Sequence, residues 1–304
     1  MIYEEKLQNV SVIGAAGKMG SGILLLTAIE VTELQFKPEI KDKKFVINAI
    51  DVSPVSLAGL YGYLKVQIKK IAEKKVVQLR NYYKDKPNLI ENSEIIDQYV
   101  DDVLKLILFS TRVESAYDST LIFEAIVEDS NIKVKLIQQI LENNKNNPWF
   151  LTNTSSVPIS ELDAKANIKG NVIGFHFYNP PAVQKLVELI ASKNTNKDLV
   201  EFSKAFAHNL GKKVVPSKDF AGFIGNGHYM RDLLFGIQMA EKLTREMSFV
   251  ESIYAVNRIS QEYLIRPMGI FQLMDYIGVD VCQKILQVMS SRLQNADLHS
   301  VLID

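Results

Sequence analysis

The chain has one cysteine, Cys282, one tryptophan and no excess of charge, since 35 basic and 35 acidic residues cancel. A lone cysteine excludes a disulfide framework and a Cys-based zinc site. With no surplus of positive charge, nucleic acid is not an expected partner. No apolar run approaches the roughly 20 residues that span a bilayer, so no membrane association is expected. Internal repeats and low-complexity segments are missing too. The opening MIYEEKLQNV is charged and runs directly into a strand-like segment, so neither a signal peptide nor a transit peptide is expected. These absences describe a soluble protein of a reducing compartment, expected to be cytoplasmic. What remains is ordinary for a globular chain with a sizeable core: 304 residues, 47% hydrophobic and 23% charged. That length suits one large domain or, better, two.

Asn9 to Ile13 (NVSVI) is a short β-rich run, followed at once by a glycine-rich turn and an apolar helix. The turn carries Gly14, Gly17, Met19 and Gly20, which are its candidate cofactor contacts. Strand, glycine turn and helix in this order are the context that a dinucleotide fingerprint requires. Glycines let the backbone approach a pyrophosphate, and the helix N-terminus offers N–H groups and the positive end of its dipole. The spacing is G-x-x-G-x-x-G, one residue longer than the usual fingerprint. The next strand, Lys44 to Ile50, ends in Asp51, whose carboxylate suits the ribose hydroxyls of NAD and repels a 2′-phosphate. Val52, Ser53 and Pro54 supply no arginine for such a phosphate, so NAD is expected rather than NADP. The long interval between the glycines and Asp51 is ascribed to a surface insertion over the polar stretch Thr32 to Lys43.

Ser56 to Tyr83 is a long helical region dense in lysine, read either as a solvated face or as a dock for an anionic substrate. Thr120 to Val127 is a mostly apolar run, as expected of a strand buried on both faces of a parallel sheet, and Glu128 closes it. Trp149 to Thr152 is another short strand, running into Asn153-Thr154-Ser155-Ser156. Beyond Phe223 the strand pattern ends and amphipathic helices follow. The expected fold is therefore α/β: a Rossmann-like, doubly wound, mainly parallel sheet followed by an all-helical C-terminal domain. The expected boundary divides the chain into 1–216, the cofactor domain, and 217–304, the substrate and dimerisation domain.

Asn171 to Ile190 holds the densest chemistry. Val172 to Phe177 reads as a buried strand, a Tyr-Asn-Pro-Pro turn follows, and Leu186 to Ile190 is a second apolar run. His176 and Glu188 lie twelve residues apart in these two runs. If the strands are neighbours, the turn brings imidazole and carboxylate together, and the carboxylate fixes the tautomer and stabilises an imidazolium. Ser155 and Asn226 are further polar groups with a place near such a pair. His208, His228 and His299 show no metal-ligand spacing, so no metal is expected, and Cys282 reads as core.

With those blocks in view, the chain resembles the L-3-hydroxyacyl-CoA dehydrogenases, in particular the short 3-hydroxybutyryl-CoA type. The resemblance rests on VIGAAGKMGSGI, IFEAIVED, TNTSSVPISEL, GFHFYNPPAVQKLVELI, KDFAGFIGN and RPMGIFQLMDYIGVD, in that order. It implies NAD-dependent interconversion of L-3-hydroxyacyl-CoA and 3-ketoacyl-CoA, as in fatty acid metabolism, with His176 and Glu188 as the acid–base dyad. It implies Ser155 and Asn226 at the substrate, Asp51, Glu128, Lys133 and Asn153 at the cofactor, and Lys74 at the CoA moiety. A homodimer through the C-terminal helices is expected as well, because their Met and Leu exceed what one small bundle hides. The chain departs from the family pattern at Gly227-His228, where an arginine usually follows Asn226, at Ile270, and at Gln67. Two alternatives stand beside this reading: a dehydrogenase of a related non-CoA hydroxy acid, of the gulonate or carnitine type, and a non-catalytic nucleotide-binding relative.

Overall fold

The structure is a computed structural model that describes residues 2–40, 43–293 and 298–303. In chain order the elements are α1 (Ile2–Lys6), β1 (Asn9–Ile13), α2 (Gly20–Gln35), β2 (Val46–Ile50), α3 (Pro54–Tyr82), α4 (Asn92–Lys105), β3 (Ile107–Ser110), β4 (Leu121–Glu124), α5 (Ser130–Asn143), β5 (Trp149–Thr152), α6 (Ile159–Ala166), β6 (Val172–Phe177), β7 (Leu186–Ile190), α7 (Lys197–Asn209), β8 (Lys213–Ser217), α8 (Gly225–Leu243), α9 (Phe249–Glu262), α10 (Ile270–Ile277) and α11 (Val279–Ser290). They fall into two compact units, Met1–Thr154 with Ile159–Pro216, and Ser155–Pro158 with Ser217–Asp304.

The first unit is built on a sheet of order β3-β2-β1-β4-β5-β6-β7-β8. Strands β1 to β6 pair in parallel, and β7 returns antiparallel to β6. Chain order reverses between β1 and β4, so the carboxyl ends of those two strands flank the crevice where sheets of this kind bind ligands. Every residue of β4, β5 and β6 is buried, as strands covered on both faces must be. Phe123, Phe175 and Phe206 pack edge-on and tilted against one another, Phe202 stacks on Phe206, and Trp149 meets Phe202 edge-on.

Local chemistry sets the helices. Helix α3 begins at Pro54, whose fixed φ suits the first helical position, while Ser53 accepts from the Ser56 N–H. It buries one stripe, Leu57, Leu60, Leu64, Ile68, Ala72 and Leu79, and turns Lys65, Lys69, Lys70 and Lys74 to solvent, while Lys75 pairs with Glu33 of α2. Helix α2 is apolar nearly all round and accordingly buried nearly all round. This helix corrects the expected insertion over Thr32 to Lys43. Thr32 and Leu34 are buried within α2, Phe36 stacks on Tyr82 with ring centroids 4.4 Å apart, and Ile40 joins the core. Lys41 and Asp42 of that stretch lie outside the described residues. The start of the chain is corrected too: a short helix, α1, precedes the first strand.

The second unit is a bundle of α8 to α11 around Met230, Leu233, Ile237, Ala240, Ile285 and Met289, with Cys282 fully buried among them. Helix α9 opens on a reciprocal Ser248–Glu251 capping box. Ser155–Pro158 belongs to this unit and is held to it by the Gly222 N–H, which donates to the Ser156 carbonyl at 3.2 Å. Among the described residues no helix is long and apolar enough to cross a membrane. Nor does any group of three or more His, Cys, Asp or Glu among them stand in a position to hold a metal ion.

Candidate active site

In an antiparallel pair, directly opposed residues bring their Cβ atoms within about 5 Å on one face. The β6–β7 register sets His176 opposite Glu188. Nδ1 of His176 lies 3.3 Å from Oε2 of Glu188, and both residues are buried, at 7% and 1% exposure. An ionised carboxylate only accepts, so Nδ1 carries the ring hydrogen of the neutral imidazole and Nε2 carries the lone pair. The arrangement is a histidine with its basic nitrogen turned away from a buried carboxylate, able to take a proton and be stabilised once it has done so.

The other oxygen of Glu188 is held by Tyr178, whose phenol donates to Oε1 at 2.6 Å. Burial, and then the hydrogen bond and charge of Glu188, raise the Tyr178 phenol well above its ordinary value, so it stays a donor. The imidazole and phenol rings lie 5.2 Å apart. Lys212 fastens the turn that follows: its buried ammonium donates to the carbonyls of Pro181 at 2.5 Å and Gln184 at 2.7 Å. Burial pulls the Lys212 ammonium below its usual value. Asn153 ties the end of β5 to the end of β6, its Oδ1 accepting from the Phe177 N–H at 2.9 Å.

The glycine turn closes over the end of β2. The N–H groups of Gly14 and Ala15 both donate to the Ile50 carbonyl, at 2.8 and 3.0 Å. Gly14 has φ +79°, and a side chain there would run into the Ala125 carbonyl; one at Gly20 would run into the carbonyl of Gly14. Both positions therefore demand glycine, while Gly17 is exposed and Met19 packs against the core. The lengthened turn brings the Ala16 N–H to Oδ2 of Asp51 at 3.0 Å, and the Ser53 N–H donates to Oδ1 at 3.2 Å. A carboxylate has about four acceptor sites, so Asp51 retains capacity for two hydroxyls.

At the end of β4, Glu124 and Lys133 form an ion pair at 2.7 Å, both 1% exposed. Glu128 reaches the same ammonium at 3.3 Å. Thr152 donates to Glu124 at 2.6 Å and Thr154 to Glu128 at 2.7 Å. Burial alone would lower Lys133, but Glu124 and then Glu128 outweigh it and hold the ammonium above its ordinary value. Lys74 is exposed on the solvent face of α3. In the second unit the Asn226 side-chain amide donates to the Ser155 carbonyl at 3.1 Å, so these two residues are neighbours. His228, following Asn226 and Gly227, is exposed.

Sequence reasoning passed over Tyr178, Lys212 and the Glu124–Lys133 pair. A weak signal existed for Tyr178, because residues i and i+2 of a strand share a face. For the pair, Glu124 interrupting an apolar run was a sign of its own, but nothing linked it to Lys133, and Lys212 gave none.

A doubly wound sheet with a glycine turn and an acidic strand end at its switch point defines the dinucleotide-binding folds as the class. Comparison with known proteins narrows this. The family model described as "3-hydroxyacyl-CoA dehydrogenase, NAD binding domain" matches residues 54–220, and that described as the C-terminal domain of the same family matches residues 234–303. A probable 3-hydroxybutyryl-CoA dehydrogenase of Bacillus subtilis is 30% identical over 288 residues, covering 95% of this chain and 87% of the relative. The human mitochondrial hydroxyacyl-coenzyme A dehydrogenase is 31% identical over 285 residues, covering 92% and 79%. Among solved structures, FadB2 of M. tuberculosis superposes with a TM-score of 0.74 at 25% identity, covering 98% of this chain and 92% of that one. The chain belongs to the 3-hydroxyacyl-CoA dehydrogenase family and is an NAD-dependent oxidoreductase. The first match begins at residue 54, after the lengthened glycine turn and Asp51, whereas the Bacillus relative aligns over nearly the whole chain.

Proposed function

We propose that the protein interconverts L-3-hydroxyacyl-CoA and 3-ketoacyl-CoA, with the His176–Glu188 pair as its acid–base device. The observation that carries this reading is the buried imidazole facing a buried carboxylate across β6 and β7. Bound NAD+ supplies the hydride acceptor for the C3 hydrogen of the alcohol. His176 takes the hydroxyl proton at Nε2, and Glu188 holds the ring and offsets the charge that results. In the reverse direction the imidazolium returns that proton to the ketone oxygen. Ser155 and Asn226 hold the reacting oxygen and the thioester end, a contribution by positioning.

For the cofactor, Gly14, Gly17, Met19 and Gly20 form the phosphate cradle, Asp51 accepts from the ribose, and Glu128, Lys133 and Asn153 serve the nicotinamide side. Because Lys133 is enclosed by Glu124 and Glu128, its share is to orient Glu128. Lys74, exposed on α3, contacts the CoA moiety. The names of the relatives, 3-hydroxybutyryl-CoA and hydroxyacyl-CoA dehydrogenases, support the thioester over a free hydroxy acid. A second copy of the chain covers the C-terminal helices, where Phe235, Ile259 and Leu264 line one groove and are all exposed; sedimentation at micromolar concentration reads this directly, and a monomer would refute it. Cytoplasmic residence belongs to the same reading and is checked by fractionation.

The test is NADH oxidation with acetoacetyl-CoA, run beside NADPH and a free 3-keto acid. Rapid turnover with NADH and the thioester alone is expected. Turnover of the free acid but not the thioester would replace the reading with a non-CoA dehydrogenase, and NADH binding without any turnover would leave a non-catalytic relative.

A further inference from the structure

The β6–β7 pair does more than oppose His176 and Glu188, because the carboxylate between them is shared. We infer that Tyr178 is a positioning residue, holding the Glu188 carboxylate in the plane that His176 needs; the inference rests on the dyad reading above. Three features of the geometry support it.

The last torsion of a glutamate is sp³–sp², broad and soft, so a carboxylate opposite a histidine does not by itself keep one oxygen on Nδ1. A second donor on the other oxygen removes that freedom. The Tyr178 phenol sits on Oε1 at 2.6 Å while Nδ1 sits 3.3 Å from Oε2. The closer of these two contacts is therefore the one that fixes the plane, and the imidazole meets a carboxylate already oriented.

The phenol is also part-buried beside the imidazole, with ring centroids 5.2 Å apart, so it packs on the ring whose partner it holds. It remains protonated across the working range, since burial and Glu188 both raise it. A donor that never loses its hydrogen does not compete with His176 for the proton being moved.

The chain beyond Tyr178 is itself anchored. Lys212 binds the Pro181 and Gln184 carbonyls, and Asn153 binds the Phe177 N–H on the other side. The phenol thus hangs between two fixed backbone points, as a positioning group must. A phenylalanine would keep the ring and lose only the hydroxyl, whose bond is to Glu188.

The experiment is a double-mutant cycle of Tyr178→Phe and Glu188→Gln, with kcat and KM measured separately for acetoacetyl-CoA and NADH and thermal midpoints recorded. Tyr178→Phe is expected to lower kcat about tenfold, the scale of one hydrogen bond to a charged group, with both KM values unchanged. In the Glu188→Gln background the same change is expected to do nothing further. Incorporating 3-fluorotyrosine at position 178 keeps the donor and is expected to keep the activity. Unchanged kcat in Tyr178→Phe overturns the inference, as does an equal fall in both backgrounds, because the phenol would then act apart from Glu188. A lowered thermal midpoint with raised KM also overturns it, as a plain structural role. Full activity in Glu188→Gln alone overturns the dyad reading itself, and is seen without reference to Tyr178.

Discussion

Two carboxylate clusters lie buried at the carboxyl ends of β4 and β6, one strand apart in the same sheet. At β4, Glu124 grips the Lys133 ammonium at 2.7 Å, with Glu128 behind it and two threonine hydroxyls donating to the carboxylates. At β6, Glu188 stands 3.3 Å from an imidazole and 2.6 Å from a phenol. Both clusters use a strand-end residue, a buried carboxylate and a hydroxyl. They differ in the base. Lysine, with its ammonium held above its ordinary value, stays charged at every working pH. Histidine is the side chain whose charge changes near neutrality. In the function proposed above, the fixed cation stands where a group has to be held and the titratable one where a proton has to move.

The largest expected effect breaks the second cluster and leaves the first intact. His176→Gln is expected to cut turnover by about 10²–10⁴-fold, the usual share of general acid–base catalysis. Binding of NADH, followed by fluorescence, should stay near that of the unsubstituted protein. Near-normal turnover would show that the two clusters do not differ in function as they do in chemistry.

The next effect breaks the first cluster. Lys133→Met leaves two carboxylates facing each other with no cation, one of them fully buried. Removing one partner of a buried pair costs about 3–5 kcal/mol, to be read as a lower urea midpoint. The pH dependence sharpens this. Folding raises the Lys133 value, so the stability it contributes is complete below the ordinary lysine value of 10.5 and is lost as pH rises beyond it. The gap between the two urea midpoints should hold steady from about pH 6 to 9 and shrink above about pH 10.5. A gap that widened there would contradict the ion pair.

The two clusters were unequally legible in the sequence. His176 and Glu188 stood out because each ends or interrupts an apolar run, and two such runs around a Pro-Pro turn have few ways to pair. Tyr178 was hidden because phenylalanine fits the same pattern, and only the structure shows where the hydroxyl goes. Glu124 and Lys133 lie nine residues apart across a strand-to-helix turn, and no periodicity links a strand end to a helix face. The misread stretch beginning at Thr32 has a local cause. Thr32 looks like surface, but its hydroxyl donates to the Ala28 carbonyl at 2.7 Å and so satisfies itself inside the helix. Polar letters whose partner lies one turn back imitate a loop. The sheet order, by contrast, follows from alternating strand and helix segments and one glycine turn, which leave few topologies open.

The smallest prediction compares the two clusters atom for atom. Thr152→Val removes a hydroxyl from Glu124, as Tyr178→Phe removes one from Glu188, and both bonds measure 2.6 Å. Thr152 also accepts from the Thr154 N–H at 3.2 Å, a contact the valine abolishes. A hydrogen bond to a charged group is worth about 1.5–3 kcal/mol, so the two deletions remove similar energies. Their readouts should nevertheless separate. Thr152→Val is expected to lower the urea midpoint by that amount and leave kcat within about twofold, because Glu124 holds a cation that never gives up its proton. Tyr178→Phe is expected to lower the midpoint comparably and to lower kcat as well, since what it also loosens is the orientation of a carboxylate that matters when His176 is charged. If both variants lost stability alone, the hydroxyl on Glu188 would be as structural as the one on Glu124, and the contrast between the clusters would rest on the imidazole by itself.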